Sequence, residues 1–141
     1  LPLNLDAWDG YPAARTRLYR ALLKSASNPI SLAGDTHNGW AFNLADTKGK
    51  AVGVEIGTPG VSSPGLETYL PMPSAEMASL LLESSPELAT VDTAQRGWTE
   101  MTLTPEAMTS QWRFVSSVAS PTYATTTGPL MQCRAGARKL S

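Results

Sequence analysis

From Pro12 to about Ala26 the chain reads "PAARTRLYRALLKSA", which places Ala14, Leu18, Ala21 and Leu22 on one helical face. Asn28-Pro29 then forbids continuation, because the residue before a proline is pushed out of helical geometry. At once an apolar run begins, Ile30 to Ala33, too short for a helix and closed by Gly34. "WAFNLA" (40–45) and "AVGVEI" (51–56) follow as further strands, separated by the turn-forming "DTKGK". A helix, a short apolar strand and hairpin-like strands in that order predict a layered α/β arrangement. Pro12 suits the first helical turn, and Asp9 is a candidate cap for that end. Arg15, Arg17, Arg20 and Lys24 read as a solvated helix face.

Beyond Gly57 the chain alternates loops and elements. Thr58 to Gly65, "TPGVSSPG", is a loop dense in Gly, Pro and hydroxyls. Ser74 to Glu83 is a second helix, with Met77, Leu80, Leu81 and Leu82 apolar. From Pro86 onward Thr, Val and Trp dominate, with partial alternation at Trp98–Leu103 and again through Trp112, Phe114 and Val118. This predicts two or three antiparallel strands punctuated by Gln95-Arg96-Gly97 and Thr104-Pro105-Glu106. "PLMQCRA" (129–135) is one more strand, and the final "GARKLS" reads as a frayed end. The expected organisation is one domain over 1–141, with a helix and motif-bearing strands in 1–70 and a helix with the C-terminal strands in 71–141.

Of 141 residues, 42% are hydrophobic and 16% charged, which describes a folded chain with a rather neutral surface. The net charge of −1 argues against nucleic acid as a stable partner. The single cysteine, Cys133, excludes an internal disulfide and a Cys-rich zinc site, and is compatible with an exported protein that avoids free thiols. No apolar run approaches the ~18 residues of a membrane span. The start at Leu1-Pro2-Leu3, without Met or a signal segment, reads as a processed or excised piece.

The chemistry concentrates at "GDTH", Gly34 to His37, which holds the only histidine. If the chain stays extended, Asp35 and His37 point to the same face, at the carboxyl end of a strand where open α/β sheets place ligands. One oxygen and one nitrogen donor suit a borderline metal such as zinc, iron or manganese, and Trp40 stands ready to wall one side. The competing reading is a capped turn, since Asp often bonds its own backbone two residues on. Ligand counting limits the first reading: a metal site takes about four to six ligands, and Asp9, Asn38, Asn43 and Asp46 sit in no recognisable motif. A metal at GDTH would therefore draw most of its ligands from outside this chain. No G-x-S-x-G elbow or P-loop spacing offers another chemistry.

Three ordered motifs add a resemblance. "WDGYPAARTRL", "NPISLAGDTHNGWAFNL" and "VGVEIGTPGVSSPG" together resemble the PhoD-like phosphatases (alkaline phosphatase D family) of the metallophosphoesterase superfamily, and "QRGW…MTLTPE…WRFV" is similar to that family's C-terminal strands. The resemblance implies the C-terminal part of a four-layer αββα sandwich, mixed and antiparallel, with two main helices. It implies hydrolysis of phosphate mono- and diesters at a dinuclear metal centre, with iron and calcium or other divalent ions as cofactors. Asp35 and His37 would be metal ligands. Trp8, Asp9, Tyr11, Asn38, Trp40 and Thr58 would lie at the substrate pocket, while no catalytic residue is assigned. The implied partners are phosphate-ester small molecules and the missing N-terminal half, and the implied location is the periplasm or outside the cell. Alone the chain would be inactive, with apolar surface open to self-association. The alternative is a non-enzymatic α/β binding or assembly module on the same scaffold.

Overall fold

The computed structural model describes residues 5–141; the opening Leu1-Pro2-Leu3 lies outside them. A short 3-10 turn, Trp8–Gly10, leads into α1 (Pro12–Ser25), and a second helix, α2, spans Ser74–Ser84. Four strands, β1 (Ile30–Ala33), β2 (Gly39–Ala45), β3 (Ala51–Gly57) and β4 (Leu88–Asp92), form one sheet in the order β1-β3-β2-β4. Three more, β5 (Arg96–Leu103), β6 (Ala107–Val115) and β7 (Thr125–Arg134), form an antiparallel sheet in chain order. The helices and the first three strands fall within a residue of their predicted bounds. β1 is parallel to β3, pairing Ile30 with Val54 and Leu32 with Ile56, and all other pairings are antiparallel.

Alternation decides which faces meet. Val54, Ile56 and Ala41 on the first sheet pack against Met108, Trp112, Phe114, Met131 and Cys133 on the second, forming the buried core. β6 alternates perfectly, with Met108, Ser110, Trp112 and Phe114 inward. The Trp112 indole N–H crosses between sheets to the Gly57 carbonyl at 3.2 Å. Gly39 lies flat against that indole; a Cβ there would come within 3.0 Å of the ring. On the opposite face of β3, Glu55 looks toward Tyr19 of α1. The layers described are thus helix, sheet, sheet.

Three expectations are corrected. The packed face of α1 is Ala14, Arg15, Thr16, Tyr19, Leu22 and Leu23, which keeps Ala14 and Leu22 of the predicted stripe but leaves Leu18 and Ala21 exposed; Tyr19 has turned inward beside the sheet, rotating the helix by about one position. Asp9 caps nothing, since its carboxylate binds Arg15 at 2.8 Å and the N-cap position is Tyr11. The last residues are not frayed. Ser141 and Gln132 exchange both backbone hydrogen bonds, Leu140 N–H donates to Asn43 Oδ1 at 2.8 Å, and the Arg138 guanidinium donates to the Ser27 and Ala26 carbonyls. The tail acts as a clasp between β7 and the α1–β1 connection.

Burial raises the Glu55 carboxyl above its ordinary 4.5, with a Ser31 hydrogen bond opposing the shift. The folded state then holds this proton over a pH window where the unfolded chain has released it. The resulting stability is complete below 4.5 and is lost as pH rises through the folded value. Glu55→Gln is therefore expected to unfold at higher urea than the wild type at neutral pH, with the gap closing in acid. Equal midpoints at both pH values would contradict this burial effect.

Candidate metal half-site after the first strand

β1 stops at Ala33, and residues 35–38 form a bend rather than extended chain. Asp35 and His37 both adopt left-handed backbone, φ 63° and 61°. Thr36 N–H closes the turn on the Gly34 carbonyl at 2.7 Å, with Asp35 at its centre. This is the positive-φ form of a three-residue turn, the rarer and more strained one. Asp and His are among the side chains that tolerate such backbone best. The extended alternation expected for Asp35 and His37 therefore does not hold, and a strained turn presents them instead. Strain of this kind collects at functional sites when the surroundings over-determine it.

The surroundings do over-determine it. The Gly60 N–H donates to the His37 carbonyl at 3.0 Å, and the His37 Nδ1 lies 2.8 Å from the Pro64 carbonyl. A carbonyl only accepts, so in the neutral ring Nδ1 carries the proton and Nε2 keeps its lone pair. Asn38, fully buried, accepts the Leu66 N–H through Oδ1 at 3.0 Å. Gly65 packs against that amide, where a Cβ would fall 2.3 Å from Nδ2. On its far side the same loop is held by the entry to β5: Gly97 N–H donates to Gly60 carbonyl, and Arg96 pairs with Glu67. Burial lowers the Arg96 pKa.

The candidate pocket residues separate into two groups. Trp40 donates its indole N–H to the Thr36 hydroxyl at 2.7 Å and stacks on Phe42, bracing the turn. Thr58 N–H donates to Ala33 carbonyl, and Thr58 lines a cleft of about 270 Å³ with Leu32, Ile56, Thr99 and Met101. Asn38 is a buried tie rather than a pocket wall. Asp9 instead joins Arg15, which lines another cavity of about 290 Å³ with Tyr19, Glu87 and the turn at 45–48, at the far end of β2 from Gly39. Trp8 and Tyr11 flank Asp9 in the chain, so the structure does not gather this segment at the turn. There burial raises the Tyr19 and Glu87 pKa values. Asp46 is spent on its own turn, where the Lys48 and Lys50 N–H groups lower its pKa.

Pro64, Glu67 and Arg96 escaped the sequence reading. Glu67 and Arg96 are separated by 29 residues and belong to no local motif. Only tertiary contact brings them to the loop.

Asp35 and His37 fit part of a metal site. An exposed carboxylate and an imidazole whose Nδ1–H is spent on a carbonyl form the usual ligand and outer-shell pattern. Among the described residues no group of three His, Cys, Asp or Glu is placed to hold a metal.

The fold and the turn define a layered α/β protein that presents a carboxylate and an imidazole beyond the carboxyl end of an edge strand. The chain belongs to the PhoD-like phosphatase family, whose model matches residues 1–112. It is 28% identical over 123 residues to alkaline phosphatase D of Bacillus subtilis (strain 168), taking in 84% of this chain and 20% of that protein. The chain therefore spans about one fifth of that relative's length. A solved structure of PhoD superimposes with a TM-score of 0.75 at 24% identity, covering 96% of this chain and 26% of the other, which shows a shared fold.

Proposed function

We propose that this chain supplies one half of a dinuclear metal centre in a phosphoric-ester hydrolase, an alkaline phosphatase or phosphodiesterase. The observation that carries the reading is the strained turn with an outward Asp35 carboxylate and a His37 held by its Nδ1, leaving Nε2 free. Asp35 and His37 would hold metal there, with iron and calcium as the family's expected ions. Bound metal ions would supply positive charge for the phosphoryl oxygens and acidify water. The chain's own residues set the geometry: Trp40 braces the turn from one side, and the 58–66 loop fixes the imidazole from the other. Thr58 sits where substrate would pass.

The remaining ligands have a route of approach. β1 and β5 are outer strands of their sheets and border the same cleft. Leu32 faces inward there yet is 66% exposed, and the Thr99 hydroxyl is buried without a hydrogen-bond partner. Unpaired edges and uncovered apolar residues invite further strands. In this reading the rest of the polypeptide continues both sheets past β1 and β5 and brings its ligands alongside the turn. The 1–141 chain alone is then inactive and prone to self-association. Among the described residues no helix is long and apolar enough to cross a membrane; export to the periplasm or beyond is part of the proposal.

The test is hydrolysis of nitrophenyl phosphate and bis-nitrophenyl phosphate by the completed polypeptide, with Asp35→Ala beside it and with chelator added and metal restored. Activity that chelator removes, metal restores and Asp35→Ala abolishes is expected. Activity indifferent to chelator and to Asp35 would overturn the reading and favour a non-enzymatic module.

A further inference from the structure

We propose that Glu67 is a positioning residue for His37, acting through the single peptide group that joins Pro64 to Gly65. The inference rests on the reading of His37 as a metal ligand, and extends it to the group that selects the ring's tautomer. The Pro64–Gly65 peptide is gripped at both ends. Its carbonyl accepts from His37 Nδ1 at 2.8 Å, and its N–H donates to Glu67 Oε1 at 3.2 Å. A peptide is planar, so fixing its N–H fixes the direction of its carbonyl. A carboxylate on the N–H also polarises the amide and makes its oxygen a stronger acceptor, since hydrogen bonds in chains reinforce one another. The carboxylate thus reaches the imidazole without touching it.

Arg96 completes the device. Its guanidinium pairs with the same Oε1, and the two side chains are only 11% and 24% exposed. Arg96 is anchored in turn on the Ala94 and Gln95 carbonyls, at 3.0 and 3.2 Å, at the entry to β5. A largely desolvated ion pair contributes little net stability, because desolvation offsets attraction. Its geometric effect is plain, however: it holds a charged acceptor against one peptide N–H. Asn38 fixes the next N–H, that of Leu66, at 3.0 Å, so the peptide cannot rotate away. The consequence at His37 is a proton kept on Nδ1 and a lone pair kept on Nε2.

The chain has one histidine, so an imidazole ¹⁵N spectrum reads His37 alone. At alkaline pH the wild type should be predominantly the Nδ1–H tautomer. Glu67→Gln keeps an acceptor for the Gly65 N–H but removes its charge, and should shift the tautomer ratio toward Nε2–H by about three- to tenfold, the difference between a charge-assisted and a neutral hydrogen bond. Arg96→Lys should keep the wild-type ratio, because the carboxylate stays charged and paired. Should Glu67→Gln fail to fold, the double variant Glu67→Gln with Arg96→Met leaves no unpaired buried charge, and it should show the same shift. An unchanged ratio in either folded Glu67 variant overturns the proposal. The metal content of the completed polypeptide, with and without His37→Ala, separates the two readings. A tautomer shift on Glu67→Gln with metal content untouched by His37→Ala upholds the positioning and overturns the ligand role. Metal lost on His37→Ala with no tautomer shift does the reverse.

Discussion

Exchanging His37 for alanine is expected to lower phosphate-ester hydrolysis by the completed polypeptide by more than about 100-fold, exceeding the roughly 10- to 100-fold cost of disturbing an outer-shell partner. In the proposed centre, removing the imidazole would delete a ligand outright. Stability should change far less. His37 is half-buried, and its side chain makes one hydrogen bond to Pro64, worth about 0.5–1.5 kcal/mol net. The informative result is therefore the dissociation of activity from stability, measured as kcat/KM beside a urea midpoint. Activity within about threefold of wild type would remove His37 from the centre.

The largest stability effect is expected at Trp112. Its side chain is 1% exposed, lies between the sheets beside Phe114, and sends its N–H to the Gly57 carbonyl. Trp112→Ala should destabilise by about 3–5 kcal/mol through the cavity it leaves. Because domains are typically stable by only about 5–15 kcal/mol, much of the chain's stability would go. Trp112→Phe keeps most of the ring but loses the hydrogen bond to the Gly57 carbonyl, at a cost of about 0.5–1.5 kcal/mol. Urea unfolding followed by far-ultraviolet circular dichroism checks both. A cost below about 1 kcal/mol for the alanine variant would mean that the two sheets do not share one core.

The fold was readable where a signal is local. Asn28-Pro29 stops α1, Gly34 closes β1, and the Asp46 turn joins β2 to β3, all within a few residues. A turn at GDTH was one of the two readings the sequence left open, but its left-handed backbone at Asp35 and His37 was not readable, because contacts with Gly60 and Pro64, far along the chain, hold it. The rotation of α1 onto Tyr19 escaped for a similar reason: the periodic stripe through Leu18 marks apolar residues, and the sheet decides which of them it covers. Residues 136–141 looked free because "GARKLS" carries little apolar content. Backbone pairing with Gln132 and a side-chain bond from Asn43 hold them, and neither leaves a mark in composition. The expectation that a metal at GDTH draws most of its ligands from elsewhere rests, by contrast, on simple counting of one histidine and one distant cysteine.

The central claim is that the Asp35–His37 turn is half of a metal centre, and its most direct test is the metal content of the completed polypeptide after extensive dialysis. Elemental analysis of wild type, Asp35→Ala and His37→Ala should find bound metal in the first and a clear loss of stoichiometry in both variants, with their unfolding midpoints little changed. Equal metal content in all three folded proteins would contradict the account.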